Sequence, residues 1–533
     1  MQLRWPALLA LIVLTLPMTA RAGLSAEQWR TDLAQMDTEV RERHLEPFHT
    51  LSEPEWQALI DALDADIPNL SDAEIVVRMA AIIVAIGDGH TRLTLPRRQP
   101  VLGLRVGHTP TPDPNDPALR FDRLPVSFYA FEEGLYITES TREHADLLGA
   151  RVMAFEDTPA DQAMEMITPV VHRDNDQGLK DMAADRLAIP EVLHAIGITH
   201  QSDKATLTVH DRTGEDRQVT LVPIGDGAVT WQRHVAEPPF ALSHGAEKFW
   251  HAWLNDGEVL YIHLYEVYDD DERMLVAWFA GMLSEAAARG TQRLIIDLRR
   301  NYGGDSSNNR GLVMALKDIG DFDTRGNTYV LIGRSTFSAA QNLVNDLEQW
   351  TRAIFVGEPT GTRPGSYGDS RKIRLEHSGL TVRVSTRYHA DWLGQANRSA
   401  SLPDVPVPVR AGDWLAGRDA ALAMALDHEP LTDLGKWYRE LFEAGGFDHA
   451  TIRLWLYRND PRHVQEDFSE SLAAVASDYL DQGQLDEAYY TALLAKSLFP
   501  YSPASYSALG AALEARGDTD AAREAYERAQ DLK

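Results

Sequence analysis

The chain has no cysteine. That single absence excludes disulfides, thiolate metal sites, a cysteine nucleophile and a lipid-modified cysteine anchor. After its first twenty residues it also lacks any apolar run approaching the roughly 20 residues a membrane helix needs. Basic charge is scarce, with 51 Lys and Arg against 80 Asp and Glu and a formal net charge of −29. A surface of that sign repels nucleic acid and anionic lipid, so neither is an expected partner. Residues 1–22 read as a cleavable signal peptide. Arg4 supplies the positive start, residues 7–16 the short apolar stretch, and Ala20-Arg21-Ala22 a small-x-small cleavage site. Its removal takes away Arg4 and Arg21, leaving 49 basic residues against the 80 acidic ones, a charge of −31. The mature chain is thus expected to be periplasmic or secreted, with no membrane insertion.

What is present is enough apolar residue for several domains: 533 residues, 44% of them hydrophobic. The most informative stretch is 294–369. Leu294-Ile295-Ile296-Asp297-Leu298 is a buried-strand pattern that runs directly into Asn301-Tyr302-Gly303-Gly304. A second short strand, Tyr329-Val330-Leu331-Ile332, leads through Thr336-Phe337 to Ser338. Apolar residues at 340, 343, 344 and 347 then take helical spacing. Ser338 therefore stands where a strand has just become a helix, beside amides that favour developing negative charge. A serine there is also a common helix N-cap, and both roles are open from the residues alone.

Three ordered motifs, Ile-Asp-Leu-Arg-x-Asn-x-Gly-Gly, Thr-Phe-Ser-Ala-Ala and Gly357-Glu358-Pro359-Thr360-Gly361, resemble the carboxyl-terminal-processing, or tail-specific, serine peptidases. The resemblance implies that Ser338 is the nucleophile and that backbone amides of Gly303, Gly304 and Ala339 form the oxyanion hole. It implies a protein or peptide substrate, and no metal or cofactor. Many such enzymes keep a catalytic lysine after the third motif, but the matching segment here offers Arg363, which cannot accept a proton. The tricorn-like and retinoid-binding-protein-like branch instead takes an upstream histidine, and Gly87-Asp88-Gly89-His90-Thr91 is similar to that motif. His90 is then the general base, a role its ordinary pKa suits. The branch has a serine before the histidine where this chain has Gly89, and the late position of its glutamate falls at Asn397. Glu358 is taken as the acid orienting His90, ahead of Asp369 and Asp391.

The rest reads in order. Residues 23–98 are an N-terminal helical domain, with Ser25/Gln28, Ser52/Glu55 and Ser71/Glu74 as helix-start signatures. Residues 99–225 are a proline-rich linker and a β-rich module that resembles a diverged PDZ domain, a fold that captures a chain end by strand addition. Residues 226–428 are the catalytic domain, α/β by pattern, for which the resemblance implies a superhelical spiral of the crotonase and Clp-protease kind. In 429–533 two tetratricopeptide-like repeats are offset by 34, as between Gly483 and Gly517 or Ala488 and Ala522. They suit either a protein partner or a structural brace. The function expected is an exported serine endopeptidase; the alternative is an inactive peptide- or apolar-ligand-binding scaffold of the same fold.

Overall fold

In the computed structural model, residues 23–96, 119, 121–225, 229–233, 240–242, 247–319, 321–390, 398–428, 433–459 and 466–532 are described. Residues 1–22, expected as a signal peptide, most of the proline-rich stretch, Asp391 and Asn397 lie outside them. Among the described residues no helix is long and apolar enough to cross a membrane.

The N-terminal block is three helices, Ala26–Arg43, Glu53–Asp66 and Asp72–Val84. Each starts at a capping box, with Ser25, Ser52 and Ser71 accepting from the amide three residues on and Gln28, Glu55 and Glu74 reaching back. The last of them is almost wholly apolar inside, burying Ile75, Val76, Val77, Met79, Ile82 and Ile83. It packs into a core shared with the β-rich module. In that module the strands Val126–Phe131, Gly134–Thr141, Arg151–Phe155, Ala205–His210 and Asp216–Leu221 pair antiparallel in that order. The last two form a hairpin, in register from Ala205↔Leu221 to His210↔Asp216. The helices Ala160–Met166, Asp176–Arg186 and Pro190–Ala195 are inserted between its third and fourth strands.

The later part of the chain, expected as the catalytic domain, is built on a six-stranded sheet. From one edge it runs Val405–Pro406, Ile354–Gly357, Thr328–Ile332, Arg293–Asp297, Val259–Leu264 and Phe249–Leu254, parallel except for the last pair. The near-continuous apolar strands fit a sheet covered on both faces. The helices Leu275–Arg289, Asn309–Asp318 and Ala339–Trp350 cover one face, and Ala420–Asp427 covers the other. Helix Leu275–Arg289 buries Leu275, Phe279 and Leu283, and stops at Gly290 in the left-handed region (φ 75°).

A small second sheet decides where the site forms. Strand Arg92–Thr94, which follows His90 at once, pairs antiparallel with Thr381–Val384, itself paired with Arg371–Arg374. The N-terminal block is thereby stitched to the late part of the catalytic region. Beyond it, Ser469–Asp481 with Leu485–Leu498 and Pro503–Ala515 with Thr519–Asp531 form two helical hairpins around their own core. Each helix of the second hairpin begins 34 residues after its counterpart in the first.

Candidate active site

Strand Thr328–Ile332 leaves the sheet at its carboxyl end, and the turn that follows is fixed by its own polar groups. Thr336 Oγ1 donates to the Leu298 carbonyl and accepts from the Gly333 amide, while the Phe337 amide donates to the Asn301 carbonyl. These bonds tie the approach to Ser338 onto the end of the neighbouring strand. Ser338 itself has φ 56° and ψ −124°, a conformation an L-residue adopts only under constraint. It occupies the N-cap of helix Ala339–Trp350, but its side chain makes no capping bond. Of the two roles open to it from sequence, the structure removes the capping one. Its Oγ points to His90, whose Nε2 lies 2.9 Å away.

His90 is 8% exposed and is held from several sides. Its ring stacks on Phe337, with centroids 4.4 Å apart. Its loop is gathered around the Asp88 carboxylate. Asp88 Oδ1 accepts from the amides of His90 (2.7 Å) and Thr91 (2.6 Å) and from Ser385 Oγ (3.0 Å), and Oδ2 pairs with His44 Nε2 (2.8 Å). The Glu46 amide donates to His44 Nδ1, so His44 is the neutral tautomer that donates from Nε2. Burial alone raises a carboxyl pKa, but hydrogen bonds from His44 and Thr91 outweigh it and bring Asp88 down to about 2. Burial, helped by the Arg92 charge, lowers His90 to about 4, against the pull of Asp88. The imidazole is therefore neutral at working pH, with Nε2 free to accept a proton. Nδ1 is buried and has no hydrogen-bond partner among the described residues.

Glu358 does not orient His90. Its carboxylate is clamped by Arg334, Oε2 to Nε at 2.9 Å and Oε1 to Nη2 at 2.5 Å, in a buried pair that braces the turn before Ser338. The Gly-Glu-Pro-Thr-Gly motif supplies structure there, not a third member. Asp369 contributes charge to the His90 environment but is more than half exposed, 3.8 Å from His389 Nε2.

The glycine turn packs against the serine: a Cβ on Gly303 would lie 2.7 Å from Ser338 Cβ and 3.0 Å from the Ala339 nitrogen. Asn301 shapes that turn, donating to the Leu264 carbonyl and accepting from the Gly303 amide at 2.8 Å. With its N–H taken by Asn301, Gly303 supplies room rather than a donor. Of the three expected donors, the Gly304 and Ala339 amides are left, and the latter opens a helix where no intrahelical carbonyl awaits it.

Sequence reading missed Asp88 as the hub, along with Ser385, Phe337 and Asp174. Asp174 Oδ1 accepts from the Gly89 amide (2.8 Å), and burial with the Asp88 charge pushes its carboxyl up to about 7. A Cβ at Gly89 would lie 3.0 Å from both Asp174 Oδ2 and the Phe337 ring, so a side chain there would press on both. Arg363 donates from Nε to the Asp174 carbonyl (2.7 Å). An acid two residues before His90 was the one signal available for the hub.

Residues 258–406 match the model of peptidase family S41. The match covers 149 of the 533 residues and assigns the likeness to that stretch. The protein is a serine-type peptidase with a mixed α/β core. The chain is similar in fold to mature CPAF complexed with lactacystin, with a TM-score of 0.51 at 13% identity over 74% of this chain and 96% of that one. A second structure of mature CPAF gives 0.50 at 13% identity, over 74% and 94%. The photosystem II D1 C-terminal processing protease aligns at 16% identity over 75% of this chain and 99% of that one, with a TM-score of 0.36. No curated protein matches.

Proposed function

We propose that this S41 peptidase is an exported endopeptidase that cleaves protein or peptide substrates through an acyl-enzyme on Ser338, with His90 as general base. The observation that carries the reading is the 2.9 Å contact between His90 Nε2 and Ser338 Oγ. Oγ–H donates to neutral Nε2 as Oγ attacks the scissile carbonyl. The Ala339 and Gly304 amides receive the oxyanion, each such donor being worth about 3 kcal/mol of barrier. Imidazolium then returns the proton to the leaving amine, and water repeats the sequence on the ester. Asp88, kept ionised by His44, stands in for a bonded third member by stabilising the imidazolium through space. We read the antiparallel module as PDZ-like, and the two C-terminal hairpins as tetratricopeptide repeats offering a face to a protein partner. The 34-residue offset and Gly510 packed under Tyr526 support the repeat reading.

A fluorophosphonate should label Ser338 in the native chain and fail to label it in His90→Ala. Ser338→Ala should lose on the order of 10⁴- to 10⁶-fold in turnover of an unstructured protein, and adding His90→Ala should cost little more, because the pair acts as a unit. Undiminished hydrolysis by folded Ser338→Ala would sink the assignment.

A further inference from the structure

The loop that shapes the glycine turn carries two arginines with opposite fates. Arg299 is saturated, bound to Asp297 and to Asp419 (2.6 Å). Arg300 is 9% exposed, and among the described residues neither of its terminal nitrogens has a hydrogen-bond partner. Its guanidinium carbon lies 5.7 Å from the centre of the Tyr265 ring. Burial lowers its pKa, and Arg233 adds to that while Tyr302, Tyr265 and, more weakly, Asp297 oppose it. A buried guanidinium without an anion costs several kcal/mol, so the position calls for a negative partner.

Arg300 lines a cavity of about 160 Å³ at the seam between the antiparallel module and the catalytic sheet. The other buried cations on its wall are matched: Arg123 with Asp185 at 3.1 Å and Arg334 with Glu358 at 2.5 Å. At the rim, Arg418 pairs with Asp413 at 2.6 Å and Arg410 is exposed. Much of the remaining wall is apolar or aromatic, with Phe128, Tyr129, Val409 and Trp414. A cavity of about 150 Å³ holds a benzene ring, so this one takes a single compact molecule and not a length of chain. One unmatched buried charge between apolar walls suits a monoanion better than a doubly charged phosphate.

We propose that this cavity binds a small organic carboxylate with a compact aromatic or branched aliphatic body, its carboxylate held bidentately by Arg300 and its body against Phe128, Tyr129 and Trp414. The occupant is an effector and not a substrate. The wall includes Gly333, Arg334 and Ser335, which lead directly to Ser338, and Ser335 Oγ donates to Asp181 across the seam at 2.8 Å. Filling the seam stiffens the approach to Ser338 and raises turnover. That consequence rests on the peptidase reading above, whereas binding does not, so the two fail separately.

The test is calorimetric titration of the full chain with benzoate and with 3-methylbutanoate, and with benzamide as the uncharged control. At least one of the acids should bind saturably, one per chain, and benzamide should not. Arg300→Met should weaken binding at least about tenfold, the scale on which a buried ion pair is lost, while melting no lower than the native chain. Ala184→Leu, which fills the cavity and keeps Arg300, should abolish binding as well, and it carries the test if Arg300→Met does not fold. Absence of saturable binding by both acids at millimolar concentration, or equal affinity in folded Arg300→Met, overturns the proposal. Binding that leaves turnover of an unstructured protein unchanged overturns the effector role alone.

Discussion

A histidine 8% exposed, with Nδ1 unpaired, is poised differently from one that leans on a bonded carboxylate. Burial holds it to about 4, well below its usual 6.5. Because kcat/KM reports the free enzyme, its acid limb should have a midpoint near pH 4, with a plateau from about pH 5 upward. A limb centred near 6.5 would show that His90 is not the base in this environment. The same depression makes stability fall as pH drops from about 6.5 to about 4, where the unfolded chain binds the proton and the folded one resists it. Asp174 has the opposite sign. Its folded carboxyl is raised to about 7, so the stability due to its protonated form is present below about pH 4 and is lost as pH rises through 7. Asp174→Asn keeps an acceptor for the Gly89 amide and does not titrate. Its melting temperature relative to the native chain should therefore climb between pH 5 and pH 8, and a pH-independent difference would contradict the assignment. The same variant is the background in which to measure the His90 limb, free of an overlapping titration near neutrality.

At the level of elements, two connections meet. The strand-to-helix turn at Ser338 is local, fixed by Thr336, Phe337 and Asn301 within the sheet's own loops. His90 arrives by a different route, on a loop pinned by Asp88 and followed by a three-residue strand whose partner lies almost 300 positions away. Three residues of pairing are little to hold a base in place. The Asp88 to Ser385 and Thr91 to Ser385 bonds reinforce it. Val382→Pro, in the central strand of that small sheet, removes a ladder donor and should release the His90 loop. Fluorophosphonate labelling should then fall as it does in His90→Ala, with far-UV circular dichroism close to native. Retained labelling would mean that the Asp88 hub suffices without the strand.

At the level of the molecule, the helices after Leu434 surround a core separate from those of the module and the sheet. Stability of the site is therefore expected to be independent of them. A chain ending at His428, which keeps the Ala420–Asp427 helix and the carbonyls that accept from Arg293, should hydrolyse a short unstructured peptide within about twofold of the full chain. Loss of that activity would place these helices in the working unit. The helical block and the β-rich module, by contrast, share one core, and cutting between them at the proline-rich stretch should unfold both.

By itself the sequence determined what is local. The capping boxes at Ser25, Ser52 and Ser71, the buried strands, the turn-to-helix position of Ser338 and the 34-residue repeat all depend on neighbours within a few turns of chain. Ser338 and His90 were also legible as candidates, because a flanking pattern marked each. Tertiary structure decided what depends on distant packing. It made Asp88 rather than Glu358 the acid behind His90, because Arg334 already holds Glu358. It assigned the Gly303 amide to Asn301, and it left Arg300 buried without an anion. Hydrogen-bond partners and desolvation are set by which segments fold against one another, and spacing along the chain does not carry that information.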